Sequence, residues 1–429
     1  MMRIGASTAL TLSMSNVLAI GGADVALADY NFKTAQYNGP ALSVSRGSSA
    51  YIDDSAGNWT SVPANTLRRS DKGALIEGAQ TNAVRNNSMQ NGVAGTPGTA
   101  PQFWSTGGNA NGITTQIVGF PTVNGVECIR IRYFGTVTAT FNSGPHWENV
   151  GLTEVSPSTP ITTSFFARLV SGSVAGLNFR WHNTINNNAN TGVDDNQSSI
   201  PLTSTFTRFS LTRTTPATAD TYKLTNPGTL FNFPVNAVVD FTIDIGWPQL
   251  EQWSTSVTTV GGASSPIRTT GTAATRAADV VTATLPQAVA SGMLAGVVNL
   301  ALDVLRQTPV QLGPSTDRFV LRRNTGGTLA AVEVVGNVGQ AVAISAADFT
   351  AGARHGFAGA FAPNDLAVSI DGTAPGTSSP ASALAAQTEL TIGSGLNSLF
   401  GYIERLAIYP RRLTNAELQQ RSTLAYWGG

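Results

Sequence analysis

The chain has a single cysteine, Cys128, in 429 residues. It can form no internal disulfide, which excludes a disulfide-stapled secreted scaffold. Charge is sparse, 12% of residues, and balanced at 25 basic against 25 acidic. No basic excess exists to neutralise a phosphate backbone, so nucleic acid is not expected as a partner. No run approaches the ~20 apolar residues of a membrane helix, so membrane insertion is not expected either. The three histidines, His146, His182 and His355, lack close metal-ligand spacing and have no cysteine beside them. A G-x-S-x-G elbow is missing, as is a phosphate-cradling Gly loop with its lysine. Long amphipathic helical patterns are scarce.

What is present is glycine, 44 residues of it, with frequent Thr, Ser, Asn and Ala. Short alternating segments are separated by turns. In 86–253 they are Ile129–Phe134, Ile161–Leu169, Leu177–His182, Thr205–Arg213 and Val238–Ile245. In 281–429 they include Val297–Val304, Phe319–Arg323 and two runs, His355–Phe361 and Asn364–Gly372, the latter ending in an Asp-Gly turn. Strands without intervening helices predict an all-β chain of two antiparallel sandwiches in tandem. Cys128 lies in an alternating strand and reads as a buried small hydrophobe. Near the C-terminus, Thr414 precedes Glu417 by three residues, a capping box, and Leu413 is placed to staple onto Leu418. The expected division is an N-terminal arm and turn-rich module at 1–85, a sandwich at 86–253, a Ser/Thr/Gly/Pro-rich linker at 254–280 and a second sandwich at 281–429. Residues 1–35 are read as a retained arm or first strands. The other reading is a cleaved leader ending near Val25-Ala-Leu-Ala28.

Several stretches carry a resemblance. The run from Glu389 to Leu418 (strand, Gly-rich turn, strand, capped helix) resembles the closing segment of concanavalin A/laminin-G-like jelly rolls. Asn364–Gly372 looks like a laminin-G strand, with Ser369 and Ile370 departing from the usual pair. Asn86 to Trp104 and Gly246-Trp-Pro-Gln-Leu-Glu251 resemble the opening and last strand of galactose-binding-like modules, with Pro248 replacing the usual Ala. Arg46, Ser48, Ala50, Tyr51, Asp53, Ser55, Gly57, Ala64, Asn65, Arg68, Leu75, Ile76, Glu77, Gly78, Thr81 and Asn82 resemble a module of tailed-phage and gene-transfer-agent virion proteins. Thr275-Arg-Ala-Ala-Asp279 looks like the joint between the two jelly rolls of such proteins. The resemblance implies two jelly rolls preceded by an N-terminal anchoring segment. It implies a spike or fibre on the virion surface, held to other virion proteins by its N-terminal region. Such a protein would adhere to host cell-surface glycan as a homo-oligomer, a trimer or a pentamer.

The chemistry favours binding over cleavage. A glycan hydrolase needs two carboxylates across a cleft. Glu333 and Asp303 are isolated, and Glu404 is followed by Arg405. Asp240 and Asp244 can share a strand face, but nothing else marks that strand as a cleft. No enzyme activity is therefore expected, with a capsule depolymerase as the alternative. An aromatic and polar cluster in the first sandwich is the candidate carbohydrate site: Trp104, His146, Trp147, Arg180, Trp181, His182, Asn183, Asp194 and Asp195. Rings offer an apolar platform and planar polar groups take hydroxyls. On the competing reading the tryptophans are core, the Asn tract at 186–196 is a solvated loop and the protein is a purely structural decoration. Asp194 and Asp195 supply hard oxygen ligands suited to Ca²⁺, although their spacing matches no known loop and adjacent strand residues face opposite ways. No other cofactor is expected. Trp247 and Trp253 read as core and domain-joint residues, and Trp427 as a tail anchor or a contact between subunits.

Overall fold

The computed structural model describes residues 25–148, 154–254, 262–395 and 397–428; for Asn226 only the backbone is described. The expectations for residues 1–24, a leader or an attachment arm, lie outside the described residues.

Two antiparallel sandwiches hold most of the described strands. In the first, a six-stranded sheet carries Thr122–Val123, Val126–Thr136, Val238–Gln252, Pro160–Gly172 and Thr207–Thr214 in that order, with Ile113–Gly119 also paired to Val126–Thr136. Its partner sheet has five strands, among them Phe141–Ser143, Tyr222–Phe233, Arg180–Asn186 and Gly192–Asn196. Alternation sorts each strand. Ile129, Ile131 and Tyr133 enter the core with Phe165, Phe231 and Phe241. Between them Arg130 and Arg132 face outward and grip Asp244 and Asp240 at 2.7 Å. Cys128 is fully buried beside Val126, Phe166 and Trp247.

In the second sandwich, a seven-stranded sheet runs Val338–Asp348, Thr328–Val335, Arg318–Arg323, Val310–Leu312, Gln387–Ile392, Val280–Val289 and Ser43–Ser45. The opposing nine-stranded sheet has Gly401–Tyr409 and Gly292–Leu300 at its centre, then Arg354–Ala362, Asp365–Ile370 and Gly376–Ser378. The helix Asn415–Arg421 lies on its outer face. Thr414 Oγ1 accepts from Glu417 N and Glu417 Oε2 accepts from Thr414 N, the capping box read from sequence. Leu413 and Leu418 share one buried cluster, as a hydrophobic staple requires.

Within the described residues the N-terminal segment supplies first strands, one of the readings of residues 1–35, and it is built into the second sandwich where a separate arm and module at 1–85 were expected. Ala28–Asn31 and Gly73–Ile76 both pair with Gly401–Tyr409, and Ser43–Ser45 pairs with Val280–Val289. Tyr30, Phe32, Ala74 and Ile76 are fully buried in the second core. The hairpin Ala50–Asp53/Trp59–Val62 wedges between the sandwiches. Tyr51 and Trp59 meet Trp247 and Phe166 on one side, while Ile52 and Val62 pack with Leu75 and Tyr402 on the other. Trp253 closes the joint against Leu302, Val304 and Phe400.

The expected linker also departs from its reading. Ser264, Ser265, Ile267, Thr269, Arg276 and Asp279 are buried, and Ala274–Arg276 pairs with Gln80–Asn82. These residues belong to a buried ionic junction. Asp279 takes Arg46 at 2.7 Å and also pairs with Arg68. Arg68 reaches Glu77 at 2.8 Å. Glu77 accepts from Ser265 N and Oγ at 2.8 and 2.5 Å, and Arg276 stands 3.2 Å away. Glu251, at the end of the first sandwich, accepts from Ser264, whose carbonyl takes Arg208 at 2.7 Å. Burial pushes the Glu77 carboxyl up, but Arg276, Arg68 and the Ser265 donors outweigh it and hold the pKa at about 2.

Arg68→Met leaves Glu77 and Asp279 short of a buried partner, and the loss is expected to be 3–5 kcal/mol, roughly the cost of orphaning a buried charge, read as a lowered denaturant midpoint. Because the folded pKa of Glu77 lies below the ordinary carboxylate value, its contribution is present above about pH 4.5 and lost as pH falls toward 2. Glu77→Gln should flatten the stability profile in that window alone.

Candidate functional site

The residues singled out in the first sandwich divide by strand face. Trp104, Trp147 and Trp181 are 5%, 0% and 5% exposed, inside the core. Trp147 and Trp181 lie 5.0 and 4.9 Å from the Phe165 ring, and Trp147 lies 6.0 Å from Trp104. No ring face is left for a sugar, which corrects the stacking role expected of them; the alternation of Arg180–Asn186 turns Trp181, Asn183 and Ile185 inward. Asn183 is buried with it, its backbone carbonyl taking Arg213 at 2.6 Å. Asp194 and Asp195 point to opposite faces of their strand. Asp194 pairs with Arg213, and Asp195 accepts from Thr184 at 3.1 Å and Gln197 at 2.6 Å. They do not converge as a Ca²⁺ site would require, and no group of three or more metal-ligating side chains converges among the described residues. Arg180 stays half-buried beside His182.

His146 and His182 do meet. Their rings share one hydrogen bond, His146 Nε2 to His182 Nδ1, at 2.7 Å. Gly228 permits it: a Cβ there would sit 2.6 Å from His146 Cδ2 and 2.5 Å from the Pro145 carbonyl. Burial, reinforced by His182, pushes the His146 pKa down to about 4. His182 is also lowered, by burial, with Asp195 opposing the shift.

A more open polar surface lies on the outer face of the nine-stranded sheet. Ala28–Asn31 buries Tyr30 and turns Asp29 and Asn31 outward. Pairing places Asn38 opposite Asp29, and both Gln36 and Arg405 opposite Asn31. These five side chains and Tyr37 line a depression of about 410 Å³. Arg405 holds Asp29 through two bonds of 2.9 and 2.6 Å, which raises the guanidinium pKa.

Next to it the strand register slips, Arg405 opposing Val297 and Ile403 opposing Val298. Glu404 is the extra residue of this bulge, which re-aims its side chain. Arg354 grips Glu404 with two bonds of 2.7 Å, and Lys33 lies 3.5 Å away. A second depression of about 200 Å³ shares Asn31 and Arg405 with the first and adds Lys33, Arg354, Glu404 and Trp427. The half-buried Trp427 ring is held by its Nε1 donating to the Arg421 carbonyl at 2.9 Å, with the Arg405 guanidinium 5.0 Å from its centre. Fixed planar donors and acceptors beside a partly exposed indole suit a ligand with many hydroxyls and an apolar face. Sequence reading gave Trp427 as a tail anchor or a contact between subunits and missed the rest, because the set is drawn from positions 29–38, 354, 404–405 and 427. The only local signal was the alternation Asp29, Asn31 ahead of Gln36 and Asn38.

No protein-family model matches the chain, and no curated protein matches it. Among solved structures it is similar to a heptameric SAP-like pentraxin from Limulus polyphemus, at 14% identity over 32% of this chain and 71% of that one, TM-score 0.26. It is similar to the LG4-5 domains of mouse laminin alpha1, at 9% identity over 60% and 86%, TM-score 0.22. It is also similar to a tandem CBM22 domain from Paenibacillus barcinonensis, at 9% identity over 79% and 98%, TM-score 0.25. Scores this low carry no argument; the fold rests on the strand pairing.

The histidine pair makes a pH prediction. With a folded pKa of about 4 against an ordinary 6.5, His146 contributes stability that is full above pH 6.5 and lost as pH falls toward 4, by roughly 3 kcal/mol at most. His146→Gln should lessen that decline in urea titrations between pH 7 and 4.5. A variant as pH-sensitive as the parent refutes the assignment.

Proposed function

We propose that this chain is a saccharide-binding adhesin on the exterior of a phage-derived particle, a spike or fibre that holds host cell-surface polysaccharide. The observation that carries the binding part is the outer-face groove, where Asp29, Asn31, Gln36, Asn38 and Arg405 form one polar row beside Trp427. The particle-surface part rests on the resemblance at residues 46–82 and 275–279. Arg46, Arg68, Glu77, Arg276 and Asp279 of those segments make the buried junction, so what they specify is the tandem arrangement of the two sandwiches.

Binding without bond cleavage is the reading we favour. Asp29 and Glu404 are both held in two-bond arginine pairs, so neither carboxylate is free to flank a glycosidic bond. The reading calls for no cofactor, no nucleic acid and no membrane insertion. Contacts of this kind are individually weak. Assembly into a homo-oligomer, three copies for a fibre or five for a vertex spike, makes later contacts intramolecular and raises avidity. Other virion proteins would hold the N-terminal region.

Glycan-array binding by the full chain checks this. Arg405→Gln with Trp427→Ala should reduce binding at least tenfold while leaving the unfolding midpoint near that of the parent. Trp147→Ala should instead cost about 3–5 kcal/mol of stability, the usual result of emptying a core aromatic site. Array binding unchanged in the groove variant sinks the assignment of the site.

A further inference from the structure

The outer face of the other sheet, the seven-stranded one, carries an unbalanced charge. Phe319 and Leu321 enter the core, so Arg318, Val320 and Arg322 share the outward side of their strand. Arg306 joins them from the turn between Gly292–Leu300 and Val310–Leu312 and is exposed. Most arginines of this chain grip a carboxylate, as Arg130, Arg354 and Arg405 do. Among the described residues the side chains of Arg306, Arg318 and Arg322 make no hydrogen bond and no ion pair. Arg318 is only 9% exposed, and the Nε atoms of Arg318 and Arg322 are buried without a partner. Burial and the charges of Arg306 and Arg318 push the Arg322 pKa down. Crowded like charges with no counter-charge are stabilised by an anion from solution. The planar guanidinium fork matches a carboxylate or sulfate through two bonds.

The rest of the face indicates what carries that anion. Leu312 pairs with both Phe319 and Leu390, and Glu389 pairs with Thr284. Arg318 therefore lies level with Glu389 and Thr284, three strand spacings or about 14 Å from the latter. There, Ser43, Thr282, Thr284 and Glu389 line a depression of about 280 Å³. Hydroxyls at one end and guanidinium groups at the other suit an extended chain of sugars. Glu389 repels an acid at its own end, so the acidic group falls on the arginines. Three cations are too few to hold nucleic acid.

We infer that this face binds an acidic saccharide, with Arg306, Arg318 and Arg322 on its carboxylate or sulfate. The inference rests on the reading of the chain as a saccharide binder but uses a different sheet. The test measures the full chain against polygalacturonate, dextran sulfate, neutral dextran, sodium sulfate and phosphatidylserine-containing vesicles. We expect an acidic polymer to bind at least tenfold tighter than dextran, with affinity falling as NaCl rises. Arg318→Gln with Arg322→Gln should remove that preference, and the double lysine variant should keep part of it. Urea midpoints and array binding through the Arg405 groove should be unchanged in both. An acidic-polymer affinity indifferent to the glutamine variant overturns the inference, as does binding of sulfate ion alone or of vesicles alone. Array binding intact with no acidic preference removes this site only; loss in the groove variant with the acidic preference intact supports this site. No saccharide bound at all removes both.

Discussion

The architecture depends on one buried constraint: the arginine–carboxylate junction at Arg46, Arg68, Glu77, Arg276 and Asp279. Taking these charges from water costs several kcal/mol each, and the cost is offset only if every partner is present with good geometry. The chain meets that condition by bringing segments from 46–48, 62–68, 77–78, 264–265 and 276–279 to one point. No pair of these segments satisfies it alone. The N-terminal strands, the joint and the second sandwich are thereby tied together, and Glu251 with Arg208 extends the network into the first sandwich through Ser264.

With the junction buried, the proposed saccharide binding falls to the outer sheet faces. The two polar surfaces, the Arg405 groove and the Arg318 and Arg322 face, lie on opposite sheets of the second sandwich. One presents arginines already engaged with carboxylates, which fixes their geometry before a ligand arrives. The other presents arginines with no partner, which leaves them available to an anion. In the first sandwich the arginine–aspartate pairs outside and the aromatic core inside leave a more closed surface, and its exceptional feature is the hydrogen-bonded histidine pair at His146 and His182.

Much of the fold was legible in the sequence. Alternation identified strand segments such as Ile129–Phe134 and Ile161–Leu169, which fall within the observed Val126–Thr136 and Pro160–Gly172, and the Thr414–Glu417 spacing located the one α-helix among the described residues. These signals are local: a two-residue period or a three-residue cap is written within a few positions. The site was less legible. Trp147 and Trp181 sit among His, Arg, Asn and Glu, and that polar company looked like a binding surface. Around Trp181 the neighbours Arg180 and His182 belong to the opposite face of an alternating strand, as beside any core residue of a strand; Trp147 lies outside the strands, and its neighbour Glu148 is itself buried and paired with Arg85. The serines and threonines of 254–280 suggested a linker, yet short hydroxyl and amide groups are also what buried carboxylates and arginines recruit as partners.

By itself the sequence determined the strand-rich class, the lack of disulfide support, the balanced charge and the helix cap, because each follows from composition or from neighbours along the chain. The tertiary structure alone decided that residues 28–76 complete the second sandwich, that Arg46 and Arg68 meet Asp279 across more than 200 positions, and that Asp29 and Trp427 line neighbouring depressions joined by Asn31 and Arg405. Those outcomes depend on strand order and register, which are set by burying two sheet faces together, and no local pattern records which distant strand will supply the partner.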